Sequence, residues 1–460
     1  MIKKLGVLLT FTILPLLVKS QDHFITDLGL RALIHGEENS FWSHSNTNGL
    51  VDKSTWLLGT VNTEYSTYLS EHSRLAFGGG IYYALNQEQE DGAAINQYYG
   101  VYELYNFGLT LGAKQRPLKR MGLSSVGGDI LWSNNARPLP GVEVATIIPL
   151  RISNVISLDG AFGHYLLNDD RVVDKARIHH KELTFNFNTS RNSVLSLGLH
   201  HYVQWGGVSE TQGPQPDGIR DYLRIVFGLS GTTYSSMGDQ INALGNHIGS
   251  YHLDYKYNFR NSQQLHLYYQ TIFEDTSGRE WQNFPDGVWG AFWSSPRNNY
   301  VKGLLYEYQH SLSHSGYAPN RGSDNYFSNG IYRSGWTYFG NVIGTPFITP
   351  NEEVTAIINN TYAAHHIGIT GQLSKIGYMV KGSYVENMGR HRSRWDPTHK
   401  NIYTYLSLHY QPSKREYYGI SLGTDFNDPN DNQFTLGLEY RYRFGRLDRS
   451  MEECNCRRNL

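Results

Sequence analysis

From Phe434 to Phe444 the even positions are Phe434, Leu436, Leu438, Tyr440, Tyr442 and Phe444, while Thr435, Gly437, Glu439, Arg441 and Arg443 stand between them. Successive side chains of a β-strand point to opposite faces, so this rhythm defines a strand with one apolar and one polar side. It returns in Tyr251, Leu253, Tyr255, Tyr257 and Phe259 against His252, Asp254, Lys256 and Asn258. Leu183, Phe185 and Phe187 repeat it against Glu182, Thr184, Asn186 and Asn188, as do Leu195, Leu197 and Leu199, and Leu265, Leu267, Tyr269, Thr271 and Phe273. Beyond the first twenty residues no apolar run approaches the roughly 18 residues of a membrane-spanning helix, which excludes a helical membrane protein.

The N-terminus carries a different signal. Met1-Ile2-Lys3-Lys4 is basic and Leu5 to Val18 is apolar, the outline of a secretory leader, with Val18-Lys19-Ser20 placed for processing before Gln21. The apolar stretch falls short of the about 20 residues a span requires and contains Pro15, which argues against a membrane anchor. No cysteine follows the cleavage point, so lipid anchoring is not expected there. The organisation expected is a leader at 1–20, a β-domain at 21–445 and a short tail at 446–460. Tyrosine is the compositional outlier, with 34 Tyr and 9 Trp in 460 residues. Both residues pair an apolar body with a polar tip and collect where hydrocarbon meets headgroup. Lys+Arg (40) and Asp+Glu (41) balance with no long basic run, so a nucleic-acid footprint is absent.

A soluble β-sandwich also alternates, so the joints decide. Short turns at Glu71-His72, Asn154, Arg191-Asn192, Lys375 and Ser413-Lys414 alternate with long connections near 86–94, 115–140, 165–179, 205–220 and 389–400. Short periplasmic turns and long external loops are the division an outer-membrane barrel predicts. The expected fold is therefore all-β: a transmembrane antiparallel β-barrel of about 18 strands, from near Ile25 to Phe444, with both termini in the periplasm. Parity is awkward in the middle, because connections near 231–246 and 276–300 fall on the short-turn side. Either those segments form a periplasmic cap, or Tyr222 to Leu229 is not a strand and one near Ile331 to Phe339 replaces it. Asp239-Gln240-Ile241-Asn242-Ala243-Leu244 reads as a short helix stopped by Gly245, which favours a cap or plug. A barrel of this width cannot be filled by its own wall side chains, so its lumen is either wet or plugged.

The spacings that chemistry demands are missing. There is no H-E-x-x-H, P-loop or S-x-x-K, so no catalytic residue and no cofactor is expected. His179-His180, His200-His201 and His365-His366 are adjacent pairs that a strand points to opposite faces, so no pair chelates one metal and no metal site is expected. Cys454-Asn455-Cys456 in the tail is too close-set for an unstrained disulfide and stays unassigned. Two stretches have the composition of carbohydrate sites, in which flat aromatics stack on sugar C–H faces and carboxylates, amides or guanidinia take the hydroxyls. The first supplies Asp275, Arg279, Glu280, Trp281, Asp286, Trp289 and Trp293, and the second Asp324, Asn325, Tyr326, Asn329, Tyr332, Arg333 and Trp336. The competing reading is that these aromatics are ordinary girdle residues or plug packing. Arg137 before Pro138 can fix a loop against lumen carboxylates or bind an acidic sugar, with the structural role favoured.

The run Leu123-Ser124-Ser125-Val126-Gly127-Gly128-Asp129-Ile130-Leu131-Trp132-Ser133-Asn134-Asn135-Ala136-Arg137-Pro138-Leu139-Pro140 resembles the Wzi capsule-assembly family of outer-membrane proteins. Three further blocks agree: Asp239 to His247, Phe284 to Gly290, and Asp324 to Trp336. The resemblance implies a barrel blocked by loops and a short periplasmic helical segment, located in the bacterial outer membrane. It implies a lectin-like, non-enzymatic role in tethering capsular polysaccharide during capsule assembly. The partners expected are surface polysaccharide and outer-membrane lipid, around a monomeric barrel. The alternative is a porin or substrate-specific channel.

Overall fold

The computed structural model describes residues 22–445, apart from 88–91, 234, 237–238, 241–242, 275–278, 299 and 316–323. The leader at 1–20, the tail with Cys454 and Cys456, Asp275, and Ile241-Asn242 of the expected helix lie outside the described residues. Nineteen segments form one antiparallel sheet whose first strand pairs with its last, Ile25 opposite Gly445 and His35 opposite Thr435. The segment Leu150–Arg151 prolongs the strand before it against the same partner, which leaves eighteen wall strands. They are β1 (His23–His35), β2 (Thr55–Ser70), β3 (Ser73–Asn86), β4 (Gly92–Leu104), β5 (Phe107–Ala113), β6 (Pro140–Thr146), β7 (Ile156–Leu166), β8 (Arg177–Ser190) and β9 (Ser193–Trp205). Then follow β10 (Asn246–Asn258), β11 (Gln264–Gln270), β12 (Gly287–Ser294), β13 (Gly303–Ser311), β14 (Tyr362–Leu373), β15 (Ile376–Arg390), β16 (Ser393–Tyr410), β17 (Glu416–Asp428) and β18 (Gln433–Gly445).

Closure removes the edge that hydrocarbon cannot hydrogen-bond. The alternation read from β18 has its predicted sense: Phe434, Leu438, Tyr440 and Phe444 are exposed on the outside, while Thr435 and Gly437 are buried against the interior. Every long connection follows an odd-numbered strand, at 36–54, 114–139, 167–176, 206–245, 271–286 and 312–361, so all emerge at one end. The connections after even-numbered strands are short.

Parity resolves in the middle of the chain. Tyr222 to Leu229 is not a strand: Ile219–Phe227 is a helix, α2, following a short α1 at Phe41–His44. Asp221 takes the backbone N–H of Gly218 at 3.1 Å to cap α2, and Gly228, at φ 64°, ends it. Ile331 to Phe339 does not replace it, supplying only Thr337–Tyr338 paired with Asn341–Val342. Removing one strand from the count moves the 206–245 connection to the long-loop end. The helical piece expected among the periplasmic turns is therefore at the opposite end. The long connection expected near 389–400 is strand instead, because β15 and β16 run on as a hairpin that turns at 391–392.

The main core lies inside the wall. Connection 36–54 brings Trp42, 114–139 brings Leu123, Val126, Ile130, Leu131 and Trp132, and 312–361 brings Tyr326, Phe327, Trp336 and Phe347. They pack on inward wall residues from around the barrel, among them Ile178, Tyr202, Val288, Leu305 and Val385. Trp336 is fully buried and its Nε1–H donates to the Leu131 carbonyl at 2.6 Å, so one plug loop holds another. Truncating such a side chain costs about 3–5 kcal/mol.

Candidate functional site

Polar groups fix the plug to the wall. Glu307, on β13, is fully buried and its carboxylate accepts hydrogen bonds from Ser124 Oγ at 2.6 Å, the Ser125 amide at 2.7 Å, Ser125 Oγ, and Tyr268 Oη at 2.5 Å. Arg120 lies 3.6 Å over the Tyr268 ring. Tyr268 fits because β12 has Gly290 opposite it, where a Cβ would come within 1.9 Å of the phenol carbon. Gln309, two residues along β13, donates to Ser125 Oγ at 2.8 Å and accepts from Thr345 and Tyr362. Gln270 of β11 brackets the same loop, accepting from the Ile130 amide at 3.0 Å and donating to the Gly128 carbonyl at 3.1 Å.

Asp286 plays the same part for the 312–361 connection. Its oxygens accept from the amides of Leu312, Ser313 and His314 at 2.8 to 3.1 Å and from Tyr326 Oη at 2.7 Å, and lie 2.7 Å from His310 Nδ1. Burial alone would raise its pKa. The His310 contact, then the His314 and Ser313 amides and the Tyr326 hydroxyl, hold it below the ordinary aspartate value.

The residues read as sugar-binding do not converge. Trp336, Tyr332 and Asp286 are buried, the Tyr332 hydroxyl donating to the Gly206 carbonyl at 3.2 Å. Trp289 and Trp293 share the outward face of β12, opposite to inward Val288 and Phe292, and Trp289 stacks at 3.8 Å on outward Tyr269. Trp281 stacks on Tyr251 at 4.9 Å with half its surface exposed. Arg279, Glu280 and Arg333 are exposed in the long connections. Arg137 donates to the Ile95 carbonyl at 2.8 Å, lies 4.4 Å over Phe339, and lines a cavity of about 200 Å³ with Arg116, Trp132, Glu143 and Tyr165. That volume is below the roughly 300 Å³ at which small-ligand pockets begin.

Two groupings escaped the sequence reading. At the tip of the β15–β16 hairpin Arg390, Arg392 and Arg394 are exposed beside Trp395, which stacks on His399 at 4.4 Å. Three arginines in five residues stand in the sequence, but the segment reads there only as a long connection. Inside, Asp129, His200 and His252 meet from a plug loop and two neighbouring strands. Reading histidines only as adjacent pairs hid this, since His200 finds its neighbour on the next strand.

An antiparallel eighteen-stranded barrel with an apolar exterior, whose own loops pack against its inner wall, is a barrel of the outer-membrane type. This chain belongs to the capsule assembly protein Wzi family, whose model matches residues 55–368. Among solved structures it is similar to Wzi of Escherichia coli, described as an outer-membrane protein involved in group 1 capsule assembly and a carbohydrate-binding β-barrel. The identity is 13% and the TM-score 0.58, over 90% of this chain and 83% of that one. It is also similar to OccK3 (OpdO) of Pseudomonas aeruginosa, at 15% identity and TM-score 0.52, over 95% of this chain and all of the other. At such identities both establish the fold alone. No curated protein matches the chain by sequence.

Proposed function

We propose that this chain holds capsular or related surface polysaccharide at the outer face of the outer membrane and so assists capsule assembly or attachment, as a binding protein that makes and breaks no bond. The observation that carries the reading is the plug. With the lumen filled by a continuous core and anchored through Glu307 and Asp286, the working surface is the long-loop end. That surface presents Arg390, Arg392 and Arg394 beside Trp395, with Arg279, Glu280, Trp281 and Arg333 exposed on other loops. Guanidinium forks match the carboxylates of acidic sugars, and indoles stack on sugar C–H faces. The named relative binds carbohydrate, which is consistent with this reading.

The test is retention of the producing cell's own surface polysaccharide by the purified full-length barrel, against Arg333→Ala and an Arg390→Ala/Arg392→Ala/Arg394→Ala triple variant. Binding that weakens in the variants is the expected result. No binding by the parent under any condition would overturn the proposal. Steady ion currents through the parent in planar bilayers would instead favour a channel.

A further inference from the structure

We propose that Asp129, His200 and His252 form a binding site for a divalent transition-metal ion, zinc by the chemistry of its donors, which clips the lumen plug to the barrel wall. One donor atom from each residue lies within 4.8 Å of the others, and all three residues are buried. Asp129 belongs to the 114–139 plug loop, and its Oδ1 is already taken by the amides of Leu131 and Trp132 at 2.9 and 3.2 Å. Those bonds aim Oδ2 at His200 Nδ1, 2.9 Å away. That separation is a hydrogen bond in the metal-free chain, and the two atoms need part by only about half an ångström to span an edge of a coordination tetrahedron whose metal–ligand bonds are about 2.0–2.2 Å. His200 and His252 rise from β9 and β10 into the lumen, and their rings stack at 3.7 Å with planes 17° apart. Gly198, opposite His252 in the register, leaves room for the pair, since a Cβ there would sit 3.2 Å from His252 Cβ.

An independent observation points to a missing ligand. His252 Nε2 is buried and has no hydrogen-bond partner. A bare imidazole nitrogen removed from water without a partner is costly, and a metal ion is the partner that an unpaired nitrogen beside a second imidazole and a carboxylate would accept. Two imidazoles and one carboxylate suit zinc and its first-row neighbours rather than calcium or magnesium, which take oxygen. The outer contact is present too, because His200 Nε2 lies 3.4 Å from Glu182 Oε1 of β8. A carboxylate behind a ligating histidine fixes its tautomer, so Nε2–H faces Glu182 and Nδ1 faces the metal. His252 Nε2, His200 Nδ1 and Asp129 Oδ2 are thus the ligands, Glu182 is the positioning residue, and a fourth place stays open to water.

The experiment uses the full-length chain in detergent, loaded with Zn²⁺ or Co²⁺ and freed of excess ion. Metal content is measured by mass spectrometry and the Co²⁺ form by its visible absorption. The parent is expected to retain one equivalent and to show the absorption of a low-symmetry nitrogen–oxygen site. His201→Ala, one residue away on the outward face, should retain it as well. His252→Ala and Asp129→Asn should lose it, and Glu182→Gln should weaken affinity about 10–100-fold, as outer partners do. A parent without bound metal, or a folded His252→Ala that binds as the parent does, overturns the site. Should a variant fail to fold, the Co²⁺ spectrum of the parent decides alone: no absorption beyond free Co²⁺ ends the proposal.

Discussion

On β9 the side chains of Tyr202 and Val203, neighbours in the chain, end in different cores. Tyr202 points inward, 5.5 Å from the rings of both Trp132 and Trp336 and stacked on His180 at 4.5 Å. Val203 points outward and packs with Trp205, Leu244 and Ile225 beneath α2. This stretch of wall is covered on both faces, and the covers differ in kind. The inner one is held by buried charged groups whose bonds reach named atoms, as at Glu307 and Asp286. The outer one is held mainly by apolar contact, with Lys181 reaching the Val226 carbonyl and Tyr222 Oη 3.4 Å from His179 Nδ1. Its free face shows Ile219, Leu223 and Phe227, spaced four apart along the helix and exposed like Leu183 and Phe185 of the wall below. Discrete polar bonds specify one position of a plug, whereas an apolar stripe specifies only a side.

Glu307→Ala is the sharpest way to break the inner cover. It strands the hydroxyls of Ser124, Ser125 and Tyr268 in the core, and each buried donor left without its acceptor costs about 1–3 kcal/mol. The expected outcome is ion current greater than the parent's, with loss of amide-exchange protection across 114–139. A silent, fully protected variant would show that the plug does not depend on this carboxylate.

The two covers were not equally legible. The wall could be read because the physics that writes it is local: lipid outside and polar groups inside force a period of two. That period also gave the opposite facing of His200 and His201. The inner cover is built from contacts some two hundred residues apart, such as Ser124 to Glu307 and Trp336 to Leu131, and residue type does not reveal them. Trp336 therefore read as a sugar platform when it is the centre of the plug. The outer cover was misread for a different reason. Tyr222-Leu223-Arg224-Ile225-Val226-Phe227 is short and apolar enough to suit a buried strand or a helix, and only Gly218, Asp221 and Gly228 at its ends favour the helix.

Ile225→Ala probes the outer cover with a smaller effect. Ile225 is fully buried, and such truncations cost about 2–5 kcal/mol. The consequence should stay local: faster protease cleavage within 206–245, an unchanged barrel and no current. Current in this variant would mean that the covers are one cooperative unit and that the contrast drawn between them is wrong.

Acid should loosen the inner cover first. Because the folded-state pKa of Asp286 lies below the 3.8 of an ordinary aspartate, its contribution is complete above that value and is lost as pH falls through the depressed one. Below about pH 4 the 312–361 connection should lose exchange protection, while Asp286→Asn should flatten that dependence. The outer cover rests on apolar burial and should change less over the same window. Parallel loss in both covers would remove Asp286 as the cause.

The smallest structural effect, and the one that separates stability from function, belongs to the exposed arginines. Arg333 and the hairpin arginines 390, 392 and 394 are on the surface, where substitutions away from special features change stability by less than about 0.5 kcal/mol. Their replacement by alanine should leave unfolding, protease pattern and conductance as in the parent. Retention of an acidic polysaccharide should fall, and with it the salt dependence of binding, since each lost guanidinium removes a screened attraction. If the hairpin variant binds as the parent does while Arg333→Ala does not, the glycan surface lies on the 312–361 connection, whose other end is fastened by Asp286. The inner cover would then be the scaffold of the binding surface as well as the seal of the lumen, and a pH that releases Asp286 should release the polysaccharide with it.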